Sequence, residues 1–266
     1  DMSYVETQYE TPRGTRINRV LAQNPPGVPM TSGWLALQRV SPQLLQGYKS
    51  SGWLSPIGRG AWMRAGTEPT LSGSIYALQR QRSVTVYPAA CTALGYQGRL
   101  HYLPLGASPV LQLAVGSERK LPQWFTRQPF AANLRILNAD ALFDPVSAGV
   151  TNWRAGEFSL EISSPERAML EYCYLLPNHA DFEEARQLME GLATLRPEMV
   201  QSILLACRSV KAKRLFLALA EIVSHEWYRE LNLGSVNLGS GSRHVVSGGL
   251  WNSRFKITVP EIWMDS

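Results

Sequence analysis

Apolar positions near the start of the chain recur with a helical period in three short stretches. Ile17, Val20 and Leu21 share one face of a helix over residues 16–22. The run Asn24-Pro25-Pro26-Gly27 stops it. Thr31 or Ser32 is placed to cap a second short helix through Leu37, with Trp34, Leu35 and Leu37 turned inward and Val40 in a tight turn after it. Ser41-Pro42 is a cap followed by proline at the first helical position. A third helix then runs over 42–50, with Leu44, Leu45 and Tyr48 inside and Gly52 at its end. Apolar residues on both sides of the Gly58-Arg59-Gly60 tip predict a hairpin over 53–64.

The later pattern is mixed. A helix over 72–82 leads to β-rich sequence at 83–87 and a short helix over 88–95. Strand-like runs follow at 99–103, 110–115, 134–137 and 158–162, punctuated by Gly, Pro and Asn. Helical periodicity then takes over. Ser163-Ser164-Pro165-Glu166 offers two overlapping starts, a capping box from Ser163 or Ser164 as cap with Pro165 next. That helix buries Ala168, Met169, Tyr172 and Leu176. Helices over 181–194, with its own Asp181-to-Glu184 box, 197–208 and 210–230 come next. Strand-like sequence returns at Val245-Val246 and at 255–259. The predicted fold class is α+β, with an N-terminal unit over 16–82 and a mixed α+β body over 83–266 whose main helices come late.

Three short helices and a hairpin is the order of a winged helix-turn-helix. Its third helix would enter a DNA major groove and present Ser41, Gln43, Gln46, Lys49 and Ser50. Gln can bond an adenine edge in two places, and Lys can reach guanine or phosphate. Arg59 at the wing tip would reach a minor groove or a phosphate. The alternatives are a solvated helix face, or a winged domain that binds protein. Charge bears on the choice. Residues 1–82 carry nine Lys/Arg and four acids, and between Arg16 and Arg82 the one acid is Glu68. Residues 83–266 balance at 17 of each sign. A basic unit on a neutral body is the electrostatic footprint of a polyanion binder. A second group, Arg208, Lys211, Lys213 and Arg214, sits at the start of a helix. It is a possible contact for an anion or an acidic partner, or a set of side chains splayed into water.

Composition narrows the classes further. With 45% hydrophobic and 18% charged residues, the chain is not globally disordered. Glu6 and Glu10 interrupt any signal-peptide pattern, and Asp1 ahead of Met2 is read as a remnant outside the fold. The longest apolar stretch, 215–223, contains Glu221 and is too short for a bilayer. Three scattered cysteines, Cys91, Cys173 and Cys207, fit a reducing cytoplasm rather than a disulfide framework. No Walker loop, Gly-x-Gly-x-x-Gly fingerprint or Gly-x-Ser-x-Gly elbow occurs. The four histidines and three cysteines lack metal-ligand spacing. Asp140, Asp144, Glu157 and Glu161 sit in a strand-rich region, but Glu157-Phe158-Ser159 and Glu161-Ile162-Ser163 lack the lysine of a nuclease triplet. Gly234-Ser235 and Gly239-Ser240 are not followed by the paired acids of a nucleotidyltransferase. They predict a flexible turn. A diverged metal-dependent nuclease or transferase stays as the enzymatic alternative; otherwise no catalytic residue, cofactor or metal is expected.

Ser41-Pro42-Gln43-Leu44-Leu45, Tyr48, Ser51-Gly52-Trp53-Leu54, Gly58 and Gly60-Ala61-Trp62 resemble the N-terminal winged domain of AbiEi-type antitoxins. Residues 162–168 and 208–219 resemble helical parts of the antitoxin domain in that family. The resemblance runs from about Arg16 to the C-terminus and omits residues 2–15. It implies a cytoplasmic antitoxin and autorepressor of a bacterial type IV (abortive infection, phage defence) pair. Its partners would be double-stranded DNA, as inverted repeats in its own operon promoter, and a nucleotidyltransferase-like toxin that it need not bind in a stable complex. It implies no membrane partner.

Overall fold

A computed structural model describes residues 13–100, 110–117 and 120–264. Helix α1 (Arg13–Gln23) buries Ile17 and Val20. Strand β1 (Met30–Thr31) leads into α2 (Ser32–Leu37), where the Thr31 hydroxyl accepts from the Trp34 N–H at 3.3 Å. Leu35 is buried, so Leu37, two residues on, faces outward and is 79% exposed. The inward placement expected of Leu37 is thereby corrected, because residues at i and i+2 cannot share a helix face. In α3 (Pro42–Ser50) the Ser41 hydroxyl accepts from the Leu44 N–H, and Leu45 and Tyr48 are buried. Gly52 takes φ 71°, which releases the chain into strands β2 (Leu54–Gly58) and β3 (Ala61–Arg64). β3 is central in an antiparallel order β1-β3-β2. The first core gathers Ile17, Val20, Met30, Leu35, Val40, Leu45, Tyr48 and Leu54.

The helix expected over 72–82 divides into α4 (Leu71–Tyr76) and a π-helical turn over Ala77–Gln81. Strand β4 (Val86–Pro88), helix α5 (Ala90–Tyr96), strand β5 (Leu111–Val115), helix α6 (Gln123–Thr126) and strand β6 (Leu134–Asn138) follow. β5 pairs antiparallel with β4 and parallel with β6. Of the expected strand at 99–103, Arg99 and Leu100 are not in a strand, and 101–103 lie outside the described residues. Helix α7 (Ala139–Leu142) precedes a hairpin of β7 (Val150–Ala155) and β8 (Phe158–Ser163). A second core joins Val28, Ala61 and Leu78 from the first unit to Val86, Leu113, Trp124, Phe125, Leu160 and Ile162. Packing therefore continues across residue 82.

Helices α8 (Pro165–Leu175), α9 (Phe182–Glu190), α10 (Pro197–Ala206), α11 (Val210–Val223) and α12 (Glu226–Arg229) form the third and largest core with α5. Of the two overlapping starts for α8, Ser164 is the cap, accepting from the Arg167 N–H at 3.3 Å. Asp181 caps α9 as expected, but the Glu184 carboxylate accepts from the Tyr172 hydroxyl instead of closing the box. The single helix expected over 210–230 breaks at Ser224, which adopts a left-handed φ of 58°. Val245 and Val246 are not a strand; their N–H groups donate to the Thr258 hydroxyl. The last hairpin is β9 (Leu250–Asn252) with β10 (Ile257–Val259). Among the described residues no helix is long and apolar enough to cross a membrane.

Candidate nucleic-acid interface

Helix α3 has one buried stripe, and the rest of its surface is open. Leu45 and Tyr48 face the core, so Gln43, Gln46, Lys49 and Ser50 are exposed along the opposite side, with Ser41 exposed at the cap. The Ser41 hydroxyl and the Ser50 hydroxyl are both engaged locally, with the Leu44 N–H and the Gln46 carbonyl. The amide of Gln46 and the ammonium of Lys49 are left facing solvent. Arg59, between β2 and β3, is also exposed. Arg19, Arg39, Arg64 and Arg80 are exposed on the same unit, and neither Lys49 nor Arg59 forms an ion pair among the described residues.

The hairpin is fastened to the body of the protein. A bulge at Ile57 shifts the register from Pro56↔Trp62 to Gly58↔Ala61. Gly58, at φ 152°, lies directly on α6: a Cβ there would sit 2.9 Å from the Trp124 Cβ and 3.1 Å from its Cα. Ile57 and Ala61 pack in the second core with Trp124 and Phe125. The π-turn adds two amide clamps. Gln79 donates to the Val86 and Glu161 carbonyls at 2.6 and 2.7 Å and accepts from the Glu161 N–H at 3.1 Å. Gln81, two residues on, accepts from the Thr31 N–H at 2.8 Å and donates to the Pro29 carbonyl at 2.9 Å. Both contacts escaped sequence reasoning. Gly58 signalled a turn, and nothing in its neighbours signalled a close approach from residue 124.

The second cation group does not form one exposed cluster. Arg208 is exposed and pairs with Asp144 at 2.5 Å. Lys211 donates to the Tyr174 carbonyl at 2.7 Å and to the Leu176 carbonyl, supplying the orphan acceptors at the end of α8. Lys213 is 5% exposed. Arg214 is 1% exposed and donates to the carbonyls of Leu238, Gly239, Gly241 and Lys256. Burial depresses the pKa of both lysines and of Arg214. For Lys211, Lys213 and Arg214 this geometry corrects both the expected anion or partner contact and the picture of side chains splayed into water; Arg208 stays exposed. Three of the four point into the protein because α11 is the central helix of its core. The Gly/Ser loop, expected as a flexible turn, is the segment Arg214 holds.

Two family models cover the chain. One, described as "Transcriptional regulator, AbiEi antitoxin N-terminal domain", matches residues 13–105. The other, described as "Transcriptional regulator, AbiEi antitoxin, Type IV TA system", matches residues 108–260. The chain belongs to the AbiEi antitoxin family. In fold it is similar to the solved RV2827C protein from Mycobacterium tuberculosis, with a TM-score of 0.57 at 15% identity over 93% of this chain and 91% of that one. No curated protein sequence matches it.

Asp140, on α7, accepts from the Ser117 N–H at 2.5 Å, which holds its carboxyl below the usual range. Asp144 is the partner of Arg208. Glu157 lies in the exposed β7–β8 turn, and Glu161 pairs its backbone with Gln79. Burial raises all three thiols, Cys207 to about 11 and Cys91 and Cys173 further, so they are protonated near neutrality. Among the described residues no three His, Cys, Asp or Glu side chains gather as a metal site.

Proposed function

We propose that this AbiEi-family chain is a DNA-binding autorepressor and the antitoxin of a type IV pair. Residues 16–82 act as a winged helix-turn-helix, with α3 in the major groove and the β2–β3 hairpin as the wing. Gln43 and Gln46 read base edges, Lys49 reaches guanine or phosphate, and Arg59 meets the backbone or the minor groove. The observation that carries this reading is the exposure of every polar residue singled out on α3, together with Arg59, on a unit with one acid between Arg16 and Arg82. The chain works as a binding protein in the cytoplasm, without an enzymatic step of its own, and opposes a nucleotidyltransferase-like toxin.

The test is a titration of the full chain against a duplex from upstream of its own reading frame and against a random duplex, over a range of salt. Preferential binding to the first is expected, with a log–log salt slope of about −5 for about six phosphate contacts. Equal affinity for both, or no binding at 50 mM salt, overturns the repressor. For the antitoxin half, co-expression with the toxin-like product of the adjacent frame should restore growth. Continued arrest would remove it.

A further inference from the structure

A groove of about 780 Å³ runs along the outer face of α10. Val200, Ile203 and Leu204 of that helix are buried, so Glu198, Gln201, Ser202 and Leu205 form the floor on the opposite side. One wall is the segment from Asp144 to Ala148, tied to the end of α10 by the Asp144 N–H on the Ala206 carbonyl at 2.9 Å. The other wall is Glu230 and Asn232, just after α12. The Asn232 N–H donates to the Gln201 side-chain oxygen at 2.9 Å, and the Gln201 amide donates to the Ser235 hydroxyl at 3.0 Å. Both walls are thus fastened to the helix between them. Leu205 is left 55% exposed on the floor, with Pro145 exposed across from it. Among the described residues no lysine or arginine lines the groove, whereas Asp144, Glu198 and Glu230 do. Asp144 pairs with Arg208, just outside, and the nearby Arg196 guanidinium is bound to Glu166. Glu198 and Glu230 are exposed and form no ion pair among the described residues.

We infer that this groove docks a basic segment of another protein, one with an apolar side chain between cations. The inference does not depend on the DNA-binding reading. Acids alone would make an ordinary solvated surface. Here they stand around an uncovered leucine in a preformed concavity, and that combination sets the chemistry of the occupant. Its apolar side chain covers Leu205 and Pro145, and its cations meet Glu198 and Glu230 at the rim. A nucleic acid is repelled by the same carboxylates. A second copy of the chain is a poorer fit: Arg254-Phe255-Lys256 has the required order, but Phe255 is buried in the third core and cannot be presented.

The probe is a fluorescent, amidated peptide with two arginines on each side of a leucine. It is compared with the same peptide carrying glutamates in place of the arginines, and with spermidine as a competitor. The full chain is titrated beside two groove variants, Glu198→Gln with Glu230→Gln, and Leu205→Ser. The control, Glu183→Gln with Glu261→Gln, removes the same charge from exposed acids outside the groove. The parent should bind the arginine peptide saturably and the glutamate peptide not at all. Each groove variant should bind about 5-fold more weakly, from two rim pairs or from one half-buried leucine contact. The control should match the parent, and all the proteins should melt together because every exchanged side chain is exposed. Failure to bind, equal binding of the two peptides, or groove variants that match the control would overturn the inference. Displacement by spermidine at the peptide's own concentration would assign the groove to a small polycation instead. A parent dimer that Leu205→Ser converts to monomer in sedimentation would assign it to a second copy. Either result overturns the proposed occupant.

Discussion

Two groups of cations in this chain look alike on paper and have opposite fates. Lys49 and Arg59 lie on the open side of a helix and at a hairpin tip, facing solvent. Lys211, Lys213 and Arg214 lie on a helix that its neighbours enclose, and the charges of Lys211 and Arg214 are spent on backbone carbonyls. The difference is not in the residues but in how much of each helix is covered. Helix α3 has one neighbouring face, whereas α11 packs against α8, α9 and β10. A buried guanidinium is tolerated only where its donors are matched, and four loop carbonyls match those of Arg214. A cation run stays in solvent when its helix has one covered face, and is drawn into the architecture when neighbours enclose the helix.

The largest expected effect lies on the buried side. Arg214→Met leaves four loop carbonyls without their donor and should cost about 3–5 kcal/mol in chemical denaturation. A loss under 1 kcal/mol would show the loop is held by other means and weaken the contrast. Gly58→Ala forces a methyl against the Trp124 main chain and should cost about 1–3 kcal/mol, while loosening the hairpin. Unchanged melting would mean that α6 yields easily. On the exposed side, Lys49→Gln should leave stability within about 0.5 kcal/mol and weaken DNA binding with a slope shallower by about 0.9 if it holds phosphate. Gln46→Ala should relax sequence preference by about 1–3 kcal/mol at one base pair; an equal loss on every duplex would contradict base reading.

The smallest effect concerns a mixed case, Glu166 with Arg196. Burial alone would raise the Glu166 carboxyl, but hydrogen bonds from the Arg196 side chain, from main-chain N–H groups and from Ser164 together outweigh it and hold the group below its usual value. A lowered folded pKa contributes stability above the unfolded value of about 4.3, lost as pH falls through the folded one. Arg196→Gln should therefore flatten the acid limb of a stability–pH curve by about 1 kcal/mol. No change between pH 3 and 5 would show the pair contributes nothing.

The first unit was largely legible because its signals are local. Thr31, Ser41-Pro42 and the Gly58-Arg59-Gly60 tip each act within a few residues, and the elements start where those signals place them. The break in α11 at Ser224 was not legible, since a serine in left-handed conformation leaves no glycine or proline to read. Nor was β7, whose exposed residues Thr151, Asn152 and Arg154 fall on both faces and blur the alternation. The exposed face of α3 followed from periodicity alone. The contact of Gly58 with Trp124 spans 66 residues and needs the fold.

The π-turn over Ala77–Gln81 sets a rule about length. Its wider winding lets Gln79 and Gln81 bond strands from two different parts of the molecule at the same time. Removing one residue from those five would return the segment to α-helical phase and swing one amide away from its strand. Adding one would do the same in the other sense. The joint is therefore constrained by how many residues it holds more than by which they are, so insertions and deletions should be far rarer there than exchanges of the side chains between the two glutamines.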